Sequence, residues 1–184
     1  MNGLWAELLV IENSNQPKVL LNYWHNVPEE KFDFNAGLER IEVKSSSNFE
    51  RKHIFSAEQL NPPSDSRVLI ASIFLKQHNS GQNIQQLIES ITEKLGNDIA
   101  TIDKLTSIVI RTLGSSFEHS ISVKFDYEIA KQSLRFYRTT DIYKIEEANI
   151  PTHVSEVKFK SDLSNIKPVD LLTLRDKKTL FGAI

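Results

Sequence analysis

Apolar residues recur with a helical period in several parts of the chain. Near the N-terminus, their 3/4 spacing predicts a short helix over Leu4–Ile11. A longer stripe predicts an amphipathic helix over Ile84–Leu95, which Gly96 is suited to end. A further helix is expected to follow and to run to about Leu113. The apolar segment Val19–Trp24 fits a helix or a strand equally well.

Other segments have the length and composition of strands. Lys31–Phe34 and Arg40–Ser45 are predicted to form two strands joined by a turn at Asn35–Gly37. His53–Phe55 is predicted to be a short third strand. The continuous apolar run Val68–Leu75 is typical of a strand that is buried on both faces.

The C-terminal third of the chain has a different pattern. Strict alternation of apolar and polar residues over Ile121–Ile129 predicts a strand with one face in solvent. Leu134–Arg138, Ile142–Ile145 and Val154–Phe159 are expected to add strands to an antiparallel layer. The order of all these elements indicates a mixed α/β domain.

Length and composition fit one globular domain. The chain has 184 residues, of which 40% are hydrophobic and 25% charged. We expect a single domain over residues 1–184, with a core at about 1–113 and a β-rich C-terminal extension at about 117–184.

Several classes of function are excluded by what the sequence lacks. There is no cysteine, so disulfides and thiolate metal sites are excluded, and we expect a cytoplasmic location. Glu7 interrupts the short N-terminal apolar run, so no signal peptide is predicted. No apolar stretch approaches the roughly 20 residues needed to cross a bilayer, so no membrane association is expected. With a net charge of −2, any contact with DNA must come from a local patch.

Asp33, Glu42 and Lys44 form a constellation that could carry chemistry. Side chains two apart on a strand point the same way, and the predicted hairpin brings Asp33 alongside Glu42 and Lys44. Two close carboxylates repel unless a cation lies between them, and such oxygen ligands suit Mg²⁺. From spacing alone, an ion pair on the solvent face of a strand is favoured, because Glu-x-Lys occurs four times in the chain.

A set of segments resembles a known superfamily in its order along the chain. The segments are GLWAELL (Gly3–Leu9), YWHN (Tyr23–Asn26), FDF (Phe32–Phe34), IEVKSS (Ile41–Ser46), HIFSAEQL (His53–Leu60) and IPTHVSEVKFKSDL (Ile150–Leu163). The set resembles the PD-(D/E)XK nuclease superfamily, and more narrowly a bacterial family of such proteins encoded beside restriction–modification genes. The resemblance implies a restriction-endonuclease-like αβββαβ core with an antiparallel C-terminal extension.

Two features depart from the pattern of these families. The proline of the superfamily's name is absent, because Phe32 precedes Asp33. The narrower family usually carries a region before its Gly-Leu helix, whereas this chain starts almost on that helix. We therefore expect a shortened member or a core that stands alone.

The resemblance also implies the roles of individual residues. Asp33 and Glu42 would bind a metal ion, Mg²⁺ or in its place Mn²⁺, with the Val43 carbonyl as a further ligand. Lys44 would assist the nucleophilic water. Glu7 would orient the site or help to bind a second ion, although a solvated charge on an amphipathic helix fits the sequence equally well.

Residues around the third predicted strand are candidates for contact with substrate. Gln59 would lie near the lysine strand, although a capping box with Ser56 is the favoured interpretation. Arg51 and Lys52 would lie near bound phosphates. His25 could bind a metal or stack on a base, but a lone histidine is more often structural.

Together these features predict a Mg²⁺-dependent DNA endonuclease that hydrolyses phosphodiester bonds in a restriction or defence system. Its partners would be DNA, a second copy of the chain in a homodimer, and restriction–modification proteins. The alternative is a catalytically inactive DNA-binding or scaffolding subunit of a defence complex. The presence of Asp33, Glu42 and Lys44 favours the enzyme, because a degenerate member would be expected to lose at least one of them.

Overall fold

The computed structural model describes residues 2–25, 30–174 and 179–184. The helices are α1 (Asn2–Asn13), α2 (Pro17–Tyr23), α3 (Ala57–Leu60), α4 (Ile84–Leu95), α5 (Ile99–Leu113), α6 (Phe117–Ser122) and α7 (Tyr127–Ser133). The strands are β1 (Phe34–Ala36), β2 (Glu39–Ser46), β3 (Lys52–Ser56), β4 (Arg67–Phe74), β5 (Gln77–Gln82), β6 (Arg135–Arg138) and β7 (Lys158–Asp162). Asn26, which ends the YWHN segment, lies outside the described residues.

A four-stranded mixed sheet organises the fold. The strand order is β1-β2-β4-β6, with β2 and β4 parallel and the two outer pairs antiparallel. β4 is buried along most of its length, as its apolar sequence predicts. The chain is therefore a mixed α/β protein, which confirms the predicted fold class.

Helix α1 is buried on nearly every side. It packs against β2 of the main sheet and against α2, α4 and α7. Trp5 Nε1 donates a hydrogen bond to the Gln82 carbonyl at 3.0 Å, and the Trp5 ring centroid lies 5.2 Å from that of Phe125. A helix that is enclosed on most sides is a rigid support for any functional side chain that it carries.

The predicted helices are confirmed with close bounds. Helix α4 covers the predicted segment and ends at Gly96, where φ is +60°. Asp98 caps α5 by accepting a hydrogen bond from the Thr101 N–H. The ambiguous segment after Pro17 is a helix, since proline is favoured in the first helical turn.

The predicted hairpin is present but begins later than expected. β1 covers Phe34–Ala36 instead of Lys31–Phe34, and the turn falls at residues 37–38. Gly37 has a φ of +71°, which glycine adopts without steric cost. Asp33 therefore lies immediately before the strand and outside its ladder of hydrogen bonds.

β3 and β7 form a separate two-stranded antiparallel sheet. In the implied αβββαβ order, the third strand along the chain would belong to the main sheet. Here β3 lies outside that sheet, and β4 pairs with β2 instead. The prediction of a strand over Val154–Phe159 is corrected to Lys158–Asp162. The predicted strand over Ile142–Ile145 is wrong, because that segment forms no ladder. These pairings join residues about 100 positions apart, which local patterns do not specify.

The predicted strand over Ile121–Ile129 is also wrong. The segment is divided between the end of α6 and the start of α7. Asp126 explains the division, because its side chain accepts a hydrogen bond from the Ile129 N–H and so caps α7. Only Phe125 bridges to another strand within this segment, in isolated pairings with both ends of β5.

The close approach of β5 to Phe125 predicts that Gly81 cannot be replaced without loss of stability. A Cβ at Gly81 would overlap the Phe125 carbonyl, which is backbone and cannot rotate away. We expect Gly81→Ala to lower the free energy of unfolding by about 1–3 kcal/mol in urea denaturation. Gly3→Ala is the control, because its nearest contact is Glu7 Oε1 at 3.7 Å. Equal stability of the two variants would contradict this packing.

Candidate active site

The start of β1 brings Asp33 beside β2. The β1–β2 register, continued by one residue, sets Asp33 opposite Glu42. Asp33 Oδ2 accepts a hydrogen bond from the Val43 N–H at 2.6 Å. The carboxylate is thereby fixed against the backbone between Glu42 and Lys44, the two other residues of the predicted constellation.

Glu42, Lys44 and Gln59 form a hydrogen-bonded group next to Asp33. Lys44 Nζ lies 2.8 Å from Glu42 Oε1, and Gln59 Nε2 donates to the same oxygen at 2.6 Å. Gln59 Oε1 accepts from Lys44 Nζ at 3.2 Å. Because Glu42 is only 6% exposed, the pair does not lie on the solvent face of a strand, and that interpretation is wrong.

Gln59 has two structural roles at once. Its backbone N–H donates to Ser56 Oγ at 3.3 Å and its Oε1 accepts from the Ser56 N–H at 3.1 Å, which confirms the capping box of α3. The same side-chain amide contacts Glu42 and Lys44. The cap therefore ties the β3–α3 segment to the acidic strand.

Glu7 approaches the same place from α1. Its Oε2 accepts a hydrogen bond from Trp24 Nε1 at 2.8 Å. Trp24 in turn bridges to Phe34 at the start of β1. Glu7 is half-buried and bonded to a buried indole, so the interpretation as a freely solvated charge is wrong.

His25 completes a cluster of ligand atoms with Glu7 and Asp33. One ring nitrogen of His25 and one carboxylate oxygen from each acid all lie within 4.8 Å of one another. The His25 backbone N–H donates to the Asp33 carbonyl at 2.9 Å. The sequence favoured a structural role for His25, because a lone histidine shows no spacing typical of metal ligands. The cluster could not be seen in the sequence, since Glu7 and Asp33 are not adjacent to His25 in the chain.

Burial and mutual repulsion raise the pKa of all three carboxyl groups. Burial, and then the charge of Glu7, raise the pKa of Asp33 to about 8. Burial, and then Asp33, raise the pKa of Glu42 to about 7, although the Lys44 ammonium opposes this shift. Burial raises the pKa of Glu7 to about 6. A cation among these acids would relieve both effects.

Arg51 and Lys52 differ in what they can contact. Arg51 donates hydrogen bonds to Ser72 and to the Ser133 carbonyl, and its guanidinium lies 4.5 Å from the ring centroid of Phe74. These contacts are internal to the protein and join strands to α7. Lys52 is exposed and lies 3.3 Å from the carboxylate of Glu50. A phosphate contact therefore stays a prediction, and Lys52 is the more accessible of the two residues.

The fold and these contacts define a class of protein. A mixed sheet that sets an aspartate against a Glu-Val-Lys strand is consistent with a PD-(D/E)XK nuclease-like fold. A family model described as "Putative PD-(D/E)XK family member" (DUF4420) matches residues 1–164. The chain belongs to this family, which confirms the resemblance seen in its sequence. Comparisons with curated proteins and with solved structures give no match.

The donor atoms at this site fit a divalent cation, which PD-(D/E)XK proteins typically use. Carboxylate oxygens and an imidazole nitrogen are established metal ligands. The acids also lie close enough to raise one another's pKa, which a bound cation would reverse. Among the helices that the structure describes, none combines the length and apolar character needed to cross a bilayer.

The raised pKa of Asp33 predicts how stability changes with pH in the absence of metal. The folded protein keeps this proton up to about pH 8, whereas the unfolded chain loses it near its ordinary value of 3.8. Stability therefore falls as pH rises between these values. Asp33→Asn removes the titration and keeps an oxygen for the Val43 N–H. We expect its melting temperature, relative to wild type in EDTA, to increase between pH 5 and pH 8.5.

Exposed Asp65 supplies the control for this comparison, because Asp65→Asn changes the same residue type in solvent. Its melting temperature relative to wild type should stay constant over the same pH range. Each 1 kcal/mol of difference corresponds to about 2–4 °C in a protein of this size. A constant or shrinking difference for Asp33→Asn would contradict the burial of a protonated Asp33.

Proposed function

We propose that this protein is a divalent-metal-dependent endonuclease that hydrolyses DNA phosphodiester bonds. The observation that carries the proposal is the hydrogen bond from the Val43 N–H to Asp33 Oδ2, because it sets Asp33 against the Glu42–Lys44 triplet. Clustered acids favour the binding of a cation, and a nearby ammonium group favours the binding of a phosphate. Phosphodiester hydrolysis benefits from both at one site.

Asp33 and Glu42 would hold the ion, Mg²⁺ or Mn²⁺, with the Val43 carbonyl as a further ligand. Glu7 would add a third carboxylate, and its hydrogen bond with Trp24 fixes its position. When bound, a divalent ion supplies positive charge at the phosphate and lowers the pKa of water. The raised pKa values support this assignment, since they arise from burial and from repulsion between the acids, both of which a cation offsets.

Lys44 would orient the attacking water and stabilise the negative charge that develops on the phosphate. Its Nζ lies 2.8 Å from Glu42, and its side chain is 20% exposed, so it can meet a substrate from solvent. Phe55 lies beneath it, with the ring centroid 5.3 Å from Nζ. Gln59 holds both Lys44 and Glu42, so it would position the ammonium relative to the acids.

The substrate and the biological setting extend this proposal beyond the site itself. The proposal includes DNA as substrate, a restriction or defence role and a cytoplasmic location, whereas the family match itself supports a nuclease-like protein. A homodimer would present two such sites to the two strands of a duplex, and restriction–modification proteins would be its partners. Arg51, Lys52 and Gln59 are the candidate contacts to the substrate, and Lys52 is the most exposed of the three.

Cleavage of plasmid and linear DNA with Mg²⁺ or Mn²⁺ tests the proposal. We expect Lys44→Ala and Asp33→Asn to lower the rate by about 100-fold or more, because each removes charge from the reacting phosphate's surroundings. An RNA substrate of the same sequence, assayed in parallel, tests the assignment to DNA. Chelation with EDTA should abolish cleavage by the wild type.

The chain contains its own control for the lysine substitution. Lys158 ends a second Glu-Val-Lys triplet and is exposed. Lys158→Ala removes the same charge from the same local sequence, so it should cleave like wild type. Wild-type protein no more active than Lys44→Ala on any substrate would contradict the enzyme proposal and favour the inactive scaffolding subunit.

A second experiment separates the two roles of Gln59. Gln59→Ala and Ser56→Ala both break the capping box, but only Gln59→Ala removes the contacts to Glu42 and Lys44. We expect both variants to lose about 1 kcal/mol of stability. Only Gln59→Ala should also lose activity, by about 10–100-fold, the usual effect of removing a residue that orients a site. Equal activity of the two variants would show that the amide serves the cap alone.

A further inference from the structure

We propose that His25 is a direct ligand of the metal ion held by Glu7 and Asp33, and that its nitrogen makes the site select first-row transition dications over Mg²⁺. This inference rests on the proposed function, since it concerns the ion of the same active site. It goes beyond that function by naming the residue that sets the choice of metal.

The backbone around His25 directs it between the two acids. The His25 N–H donates to the Asp33 carbonyl at 2.9 Å. The preceding residue, Trp24, is 1% exposed, bridges to Phe34 and donates its indole N–H to Glu7. The backbone of His25 is therefore hydrogen-bonded to Asp33. Its neighbour in the chain, Trp24, is hydrogen-bonded to Glu7. This explains why its ring nitrogen lies within 4.8 Å of a carboxylate oxygen of each.

The second contact of the His25 ring favours metal binding through Nε2. Nδ1 lies 3.3 Å from the Asp33 carbonyl oxygen, which can only accept a hydrogen bond. In the tautomer that donates to this oxygen, Nδ1 carries the proton and the lone pair is left on Nε2. Metal-binding histidines are commonly oriented in this way, with the second ring nitrogen donating to a backbone carbonyl.

The mixture of ligand atoms determines which ion the site prefers. Mg²⁺ binds oxygen and keeps several waters, so an imidazole contributes little to its binding. First-row transition dications accept imidazole nitrogen together with carboxylate oxygen. Their affinity for such ligands increases from Mn²⁺ to Fe²⁺ to Co²⁺. With His25 added to the acids of this site, Mn²⁺ and Co²⁺ would thus bind more tightly than to the acids alone, with little change for Mg²⁺.

Electron spin echo spectroscopy of Mn²⁺ bound to the protein tests this directly, with no need for catalysis. Wild type should show the modulation of a directly coordinated ¹⁴N nucleus, and labelling histidine with ¹⁵N should replace that modulation. His25→Ala should abolish it and lower Mn²⁺ affinity by about tenfold or more, while Mg²⁺ affinity stays close to wild type. His153→Ala, at an exposed histidine, should leave the signal intact.

The outcomes distinguish this inference from the proposed function. Mn²⁺ bound without nitrogen modulation in wild type would overturn the role of His25 and leave a metal site of acids standing. Equal losses of Mn²⁺ and Mg²⁺ affinity in His25→Ala would overturn the claim of selectivity. Failure of wild type to bind either ion would overturn both proposals. His25→Gln and melting curves in EDTA show whether a loss of metal affinity reflects unfolding of the variant. The ¹⁵N labelling is done on the wild type and needs no variant.

Discussion

The structure places three carboxyl groups close together and largely out of water, with one ammonium beside them. Burial and mutual repulsion both disfavour their charged forms, so their pKa values rise. An arrangement of this kind costs stability unless a cation is bound, because the acids must otherwise keep a proton or repel one another. The proposal of a cation at this place rests on this arrangement of acids.

The fold holds this unfavourable arrangement through contacts from four separate segments. Helix α1 supplies Glu7 and is itself enclosed by the sheet and by other helices. The end of α2 supplies the Trp24 indole that bonds to Glu7, and β2 supplies the N–H that bonds to Asp33. The cap of α3 supplies Gln59, which bonds to both Glu42 and Lys44. Because each of these groups is also part of secondary structure or of a cap, the site cannot relax without disturbing the fold.

Local patterns in the sequence predicted the elements whose signals are local. Periodicity and caps located α1, α4, α5 and the box at Ser56, and a continuous apolar run located β4. The same kind of pattern failed at Ile121–Ile129, where the Asp126 cap begins a helix in spite of the alternation. It also failed for the pairing of β3 with β7, which depends on contacts between distant parts of the chain.

The candidate site shows the same division. Resemblance to a family identified Asp33, Glu42 and Lys44, and the hairpin explains why they converge. The burial of Glu42 and the connection of Trp24 to Glu7 had no counterpart in the sequence, because both depend on how α1 packs on the sheet. The position of His25 beside Glu7 and Asp33 had no counterpart for the same reason, since its neighbourhood forms only when α2 and β1 meet.

The most direct test of this account is X-ray diffraction at the manganese absorption edge from crystals grown with Mn²⁺. The account predicts an anomalous peak within about 2.0–2.6 Å of an Asp33 carboxylate oxygen, with Lys44 beside it and unliganded. Peaks found only elsewhere on the molecule, or an Asp33 side chain turned away from Glu7 and Glu42, would contradict the claim that these buried acids exist to hold a cation.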